Sequence, residues 1–169
     1  MRSLLLRIQA VGSSPPRAPM KHILWSWLGS SIAIGCAASI ASVAEMPFVF
    51  APLGASAVLA FAVPDSPLAQ PRNILGGHLL SAIVGLVFLM VFGNAWWVMS
   101  LGVATAIAVM LLTKTVHPPA GANPLIILMA SSQWDFVFIT VLPGALILTI
   151  CALIFNNLAK GRRYPIYWW

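Results

Sequence analysis

The chain has 169 residues, of which 60% are hydrophobic and only 7% are charged, and its mean hydropathy is +0.96. An ordinary soluble domain carries about a quarter charged residues, so this composition excludes a water-soluble fold. The formal net charge of +6 comes from Lys and Arg residues scattered over chain ends and loop positions, not from one basic face. That distribution is typical of membrane topology signals and argues against nucleic-acid binding.

Six apolar stretches follow one another along the chain, separated by short polar connections. They cover residues 23–44, 47–63, 74–92, 96–113, 117–131 and 136–155. Four of them have the length of about 20 residues that a transmembrane helix needs. The second and fifth are shorter and carry Pro and Gly near their starts. Each of these two could be a short span, a broken helix or a re-entrant hairpin.

The predicted organisation is a basic N-terminal tail (1–22), a transmembrane domain (23–157) and a basic, aromatic C-terminal tail (158–169). Cytoplasmic loops of membrane proteins are enriched in Lys and Arg. Six spans would place Arg72, Lys114 and both tails on one cytoplasmic face, whereas two re-entrant hairpins would move Arg72 and Lys114 to the outer face. The charges therefore favour an all-α polytopic protein with both termini cytoplasmic.

The two short segments share a motif. Residues 52–56 (PLGAS) and 119–123 (PAGAN) are offset by 67 positions (119 − 52 = 67). Two units of three segments each, about residues 23–92 and 94–155, would have opposite orientations because three is odd, which predicts an inverted repeat. Two unrelated apolar halves remain the alternative. Inverted repeats place their binding sites where interrupted helices meet near the middle of the bilayer.

A helix that starts within the membrane offers unpaired backbone N–H groups and a positive dipole end, and both favour an anion. Pro119 suits the first turn of such a helix, while His117 and Pro118 are expected to be extended. The candidate binding residues are His117, Gly121, Ala122 and Asn123 in one short segment and Gly54, Ala55 and Ser56 in the other. The alternative is that Pro and Gly only kink these helices and allow close packing.

Two histidines complete the candidate site. His117 could donate a hydrogen bond to an anion, gate the path or relay protons, since ionisable residues inside membranes are functional by default, or its ring could simply cap the loop backbone. His78 follows Gly76 and Gly77, and a buried hydrogen bond to a neighbouring helix explains it equally well. Paired carboxylates and metal-ligand clusters are missing, and no nucleophile–base pair is evident in the sequence. We therefore expect no cofactor, no bound metal and no enzymatic activity.

The run His117-Pro118-Pro119-Ala120-Gly121-Ala122-Asn123-Pro124 resembles the signature of the HPP family of integral membrane proteins. The resemblance extends over the hydrophobic part of the chain and includes residues 52–56 and the loop at 64–73. It implies a small multispan protein, often described with four spans, that transports nitrite in cyanobacteria and plastids. A bacterial, cyanobacterial-like inner or plasma membrane is accordingly expected. A homodimer is expected for a separate reason, because a six-helix monomer offers little protein in which to enclose a polar path. The rival interpretation is a non-transporting subunit that anchors or scaffolds a partner.

Overall fold

The computed structural model describes residues 12–43 and 51–169, and within these ranges the chain is helical and contains no strand. The α-helices are α1 (Met20–Val43), α2 (Ala51–Ala57), α3 (Pro71–Phe92), α4 (Trp96–Leu112), α5 (Asn123–Ala130) and α6 (Leu142–Leu158). Shorter turns extend them: π-helical turns at Val58–Ala62 and Phe136–Val141, and 3-10 turns at Pro67–Ala69 and Pro118–Ala122. The all-α prediction is confirmed. Of the predicted N-terminal tail, residues 1–11 lie outside the described part.

Within the described ranges, three helices are long and apolar enough to cross a bilayer: Met20–Val43, Pro71–Phe92 and Phe136–Leu158. Two further apolar helices, Ala51–Ala62 and Trp96–Leu112, are shorter. Large apolar side chains cover the outside of the bundle, so that Leu112 is 83% exposed and Met90 is 69% exposed. A surface of this kind requires lipid around it, and the chain is a polytopic helical membrane protein.

Helix α3 lies at the centre of the bundle and packs against α4, α5 and α6, while α1 packs against α6 and the π turn at Val58–Ala62. Small residues make these contacts close. A Cβ added at Gly85 of α3 would lie 2.8 Å from Pro124 Cα, and one added at Gly29 of α1 would lie 2.6 Å from the Phe61 ring. Helices in lipid associate through such packing because burial from water does not drive them together.

Both short segments are interrupted helices, but their geometry differs. α2 continues into the π turn at Val58–Ala62, whereas α5 is preceded by the 3-10 turn at Pro118–Ala122. The extended conformation expected at His117 is present (φ −137°, ψ 100°), but the one expected at Pro118 is wrong because the 3-10 turn starts there. The α-helix itself begins only at Asn123. The predicted superposition of the two halves as an inverted repeat stays a prediction.

The 3-10 turn changes what the start of this segment can offer a ligand. Its two prolines have no N–H group, and the N–H of Ala120 donates to His117 O over 2.9 Å. The N–H of Asn123 donates to Ala120 O. These two N–H groups are therefore occupied by the backbone, so side chains become the more important donors at this point.

Three contacts bring distant polar segments to one end of the bundle. His22 Nε2 lies 2.7 Å from Ala62 O, Arg72 donates to Thr113 O over 2.9 Å, and Tyr164 donates to Ala69 O over 2.7 Å. The start of α1, the loop before α3, the loop after α4 and the C-terminal tail thus share this end. The six-segment path predicts this arrangement.

Candidate functional site

Ser56 is the centre of a buried polar cluster inside the apolar bundle. Its Oγ lies 2.8 Å from Nε2 of His78 and 2.8 Å from Nε2 of His117. All three side chains have 0% exposure, and they come from α2, α3 and the loop before α5. His78 lies seven residues after the start of α3, which is about 10 Å along the helix axis. The cluster therefore lies within the apolar zone of the chain.

Hydrogen-bond partners assign the tautomers of both rings. His117 Nδ1 lies 2.8 Å from Leu68 O, and because a carbonyl only accepts, Nδ1 carries the proton and Nε2 accepts. Asn123 Nδ2 lies 3.2 Å from His78 Nδ1, so the amide donates and His78 carries its proton on Nε2. In neutral rings, His78 therefore donates to Ser56, and Ser56 can donate to His117.

The hydroxyl of Ser56 has a choice of acceptors. It lies 2.9 Å from Pro52 O, one helical turn earlier, as well as 2.8 Å from His117 Nε2. A hydroxyl has one proton, so its rotation selects between these two acceptors. The path from His78 through Ser56 to His117 can consequently be made or broken without moving the backbone.

Asn123 joins the cluster from the first residue of α5. Its Nδ2 also donates to His78 O over 3.0 Å, and the side chain is 1% exposed. No described residue donates to its Oδ1, although that atom is buried. A buried acceptor without a donor costs about 1–3 kcal/mol, so this atom is a strong candidate to accept from a bound ligand or water.

Glycines bring the histidine loop against α3. A Cβ added at Gly77 would lie 2.8 Å from His117 Cβ and 2.9 Å from Thr115 O, and one added at Gly76 would lie 2.8 Å from Thr115 Cγ2. Only a residue without a side chain allows this approach. The Gly76-Gly77-His78 sequence therefore both places His78 and makes room for His117.

Further hydrogen bonds fix the same loop from the side of α3. Asn73 donates to Val116 O over 2.8 Å, and Ser81 donates to Ala120 O. The 3-10 turn at Pro67–Ala69 covers the cluster, since Leu68 supplies the carbonyl for His117. Both histidine rings are thus held from several directions.

Of the eight predicted site residues, the structure brings together Ser56, His78, His117 and Asn123. Gly54 and Ala55 are exposed, while Gly121 and Ala122 are partly exposed. A Cβ added at Gly54 or at Gly121 would meet no atom within 4 Å. These small residues lie beside the cluster and do not line it. A shallow apolar groove of about 410 Å³ runs next to them, lined by Ala55, Val58, Leu59, Pro118 and Pro119.

A second polar network was not predicted. It caps the carbonyls that the π turn after α2 leaves unpaired. Arg162 donates to Phe61 O over 3.1 Å and to Asn156 Oδ1 over 2.8 Å, and Asn156 donates to Ala60 O over 2.9 Å. The sequence indicated only a topological role for the basic tail. The position of a π turn, which creates the demand for these donors, leaves no signal in the hydropathy pattern.

The histidines do not form a metal centre with other described residues, because no group of three His, Cys, Asp or Glu side chains converges in that part of the chain. The cluster instead offers one hydroxyl, two imidazoles and one amide, each able to exchange a donor for an acceptor role by rotation or proton transfer. Such a set can pass a proton or hold a small polar solute. A bundle of apolar helices around such a cluster defines a helical membrane protein with a polar core.

Over residues 15–165 the chain matches the family described as HPP, transmembrane region, and it belongs to this family. Two proteins of Dictyostelium discoideum, each named only as a transmembrane protein, are 42% and 41% identical to it. The alignments cover 92% of this chain but 59% and 54% of those relatives, so the chain spans little more than half their length. No solved structure matches. These relatives do not support the expected bacterial membrane.

Proposed function

We propose that the chain transports a small inorganic anion, nitrite in the first instance, across a membrane. The observation that carries the proposal is the position of Ser56 Oγ, 2.8 Å from Nε2 of both His78 and His117, where two interrupted helices meet. Polar and ionisable groups inside a membrane are costly and mark solute or proton pathways. Nitrite as the substrate rests on the resemblance to described HPP transporters.

The geometry favours transport coupled to a proton. With neutral rings, His117 Nε2 is an acceptor and cannot hold an anion. A proton added to this nitrogen turns it into a donor, and the hydroxyl of Ser56 then becomes free to donate to the same anion. A proton and an anion moving together carry no net charge, which removes most of the cost of entering an apolar interior.

The unmatched Oδ1 of Asn123 supports the same mechanism. This atom accepts and does not donate, so it suits a solute that carries a proton, such as the acid form of nitrite. The imidazolium and hydroxyl groups hold the anion while the proton is on His117 Nε2, and the amide oxygen accepts from the acid once that proton has moved to the bound anion. We also propose that the chain forms a homodimer and that both of its termini are cytoplasmic.

Enzymatic turnover is disfavoured for a different reason from the one that the sequence suggested. A nucleophile–base pair is present, because Ser56 lies 2.8 Å from His117. Ser56 has 0% exposure, however, and its oxygen already faces His78 as well. Attack on a carbonyl needs room for a tetrahedral intermediate around that oxygen, whereas a hydrogen bond to a small anion needs only rotation of the hydroxyl. We therefore propose that this pair moves protons and does not form a covalent intermediate.

Flux into proteoliposomes tests the proposal. Purified chain is reconstituted, and nitrite uptake is followed at pH 8, where little nitrous acid crosses the lipid by itself, with and without an inward proton gradient. Protein-free liposomes give the background. Nitrite uptake above background that increases with the gradient supports transport. Uptake equal to background would favour the rival function, a membrane subunit that anchors or scaffolds a partner.

A further inference from the structure

A cavity of about 450 Å³ lies between the start of α1 and the end of α6, away from the histidine cluster. We call it the basic pocket. Its principal lining residues are Lys21, His22, Trp25, Leu158, Lys160 and Arg162. It lies at the end of the bundle that both tails share, because Arg162 Nη2 is 3.0 Å from His22 Nδ1.

The basic pocket is positively charged, and none of its lining residues carries a carboxylate. Arg162 is fixed by its bonds to Phe61 O and Asn156 Oδ1, so its charge stays in place. It donates to His22 Nδ1, and His22 Nε2 lies 2.7 Å from Ala62 O, so both ring nitrogens of His22 have partners. Burial lowers the pKa of Arg162, and the carboxylate of Asp65 opposes the shift.

The side chains of two lysines in the basic pocket have no partner in the part of the chain that the structure describes. Lys21 and Lys160 are exposed, and neither makes a hydrogen bond or ion pair with a described residue. They come from the opposite ends of the chain and flank the fixed charge of Arg162. Three cations around one cavity repel each other, and an anion between them would relieve this repulsion.

The other side of the basic pocket is apolar. The Trp25 ring stacks on Phe155 with centroids 4.4 Å apart, and Leu158 is 68% exposed toward the outside of the bundle. One turn earlier on the same helix, Ile154 is 60% exposed. Tryptophan at a helix end is typical of the boundary between lipid and water. The pocket therefore combines a cationic rim in the polar zone with an apolar wall that continues into the lipid.

We propose that the basic pocket binds the phosphate of an anionic phospholipid, with Lys21 and Lys160 as the contacts and Arg162 as the fixed charge. Basic pockets between transmembrane helices bind lipid headgroups in this way. A free phosphate ion shares the chemistry of the rim, but it would leave the apolar wall unused. The bound lipid would also hold Arg162 and His22 in place, and these side chains cap Phe61 O and Ala62 O at the end of the segment that carries Ser56.

Native mass spectrometry of the purified full chain in neutral detergent tests this site. Phosphatidylglycerol and phosphatidylcholine of the same acyl length are the probes. The Lys21→Gln and Lys160→Gln double variant removes the two contacts, and Lys114→Gln with Arg163→Gln is the control with an equal loss of charge. Each lysine near a headgroup contributes about 1 kcal/mol, so we expect phosphatidylglycerol affinity to fall roughly 30-fold in the first variant and to stay unchanged in the control.

Three results would overturn the proposal. The first is equal retention of phosphatidylcholine and phosphatidylglycerol by the native chain. The second is unchanged phosphatidylglycerol affinity in the Lys21→Gln and Lys160→Gln double variant. The third is displacement of the lipid by millimolar inorganic phosphate, which would identify a soluble anion as the ligand. Melting temperatures of both double variants are measured without lipid. If both equal that of the native chain, neither change acts by unfolding the chain.

Discussion

Ser56 Oγ and His117 Nε2 lie 2.8 Å apart although 61 residues separate them in the chain. This bond joins the two interrupted segments, because Ser56 lies on α2 and His117 precedes the 3-10 turn before α5. A polar link between two interrupted helices is a place where the bundle can open locally without unwinding a full span.

Ser56→Ala should abolish most proton-stimulated nitrite uptake and lower the stability of the chain. The change removes the acceptor of His78 and the donor of His117 together, and leaving buried polar groups unsatisfied costs about 1–3 kcal/mol. Thermal unfolding in detergent and flux in liposomes measure the two effects. Ser100→Ala, at an exposed site on α4, is the matched control. Normal flux through Ser56→Ala would remove Ser56 from the pathway.

His117→Gln should separate solute binding from proton coupling. Glutamine keeps hydrogen-bonding capacity but cannot carry a proton in the physiological range. We expect a residual nitrite flux that no longer increases with an inward proton gradient. His22→Gln, outside the cluster, should keep the gradient dependence because His22 contacts Ala62 O and Arg162 and neither histidine of the cluster. An unchanged gradient dependence in His117→Gln would show that the proton travels by another route.

An added methyl group should lower the stability of the chain at one glycine and leave it unchanged at another. Gly77→Ala places a Cβ 2.8 Å from His117 Cβ and 2.9 Å from a backbone oxygen, so we expect a loss of about 1–3 kcal/mol in stability. Gly121→Ala meets no atom within 4 Å and should fold normally. Thermal melting of both variants compares them directly. Equal melting temperatures would contradict the close packing of the histidine loop on α3.

Bulk at Gly121 then becomes a test of the solute path itself. Because the structure leaves space there, Gly121→Val should reach the membrane in normal amount. We expect strongly reduced nitrite flux in that variant, because the P-x-G-A motif predicts that the solute passes this surface. Asn123→Ala should cause only a partial loss of flux, since it removes one amide and keeps the imidazole and hydroxyl groups. Normal flux through Gly121→Val would confine the path to the buried cluster.

Two sequence signals, hydropathy and the Pro/Gly motifs, predict different parts of this fold because they measure different things. Hydropathy reports burial in lipid, so the predicted segment 74–92 ends at the same residue as α3, and the segment 96–113 starts with α4. The PLGAS and HPPAGAN runs marked the two interrupted segments because Pro and Gly act locally on the backbone. Neither signal states which way a side chain faces. Four of eight site residues meet in the cluster, while Gly54 and Gly121 lie next to open space.

The features that the sequence did not predict depend on contacts between distant parts of the chain. His78 was equally well explained as a structural histidine, and only its approach to Ser56, 22 residues away, shows that it shares a partner with His117. The role of Arg162 depends on a π turn about 100 residues earlier, whose carbonyl at Phe61 it caps together with Ser26. Local propensity contains no information on such pairs, since helix packing decides them.

The C-terminal tail provides the last prediction, which concerns alkaline pH. Tyr164 is buried outside the spans and donates to Ala69 O over 2.7 Å, and burial raises the pKa of its phenol above the usual 10.0. In the unfolded chain the phenol has its usual pKa, so above pH 10 unfolding releases a proton and stability falls as pH rises. Below pH 10 the phenol is neutral in both states and its contribution is fully present.

Tyr164→Phe should therefore melt at a lower temperature than the native chain at pH 8, because it loses a hydrogen bond worth about 1 kcal/mol, and the gap should close as the pH rises above 10. Tyr167→Phe is the control, since the hydroxyl of Tyr167 bonds to Pro67 O and Asn73 Oδ1 from a half-buried position. Melting temperatures from pH 8 to 11 measure both variants. A constant difference in melting temperature between Tyr164→Phe and the native chain over that range would mean that the buried phenol does not control alkaline stability. The tail would then stay attached to the loop before α3 through its other bonds, such as the one from Ile166 N to Gln70 Oε1.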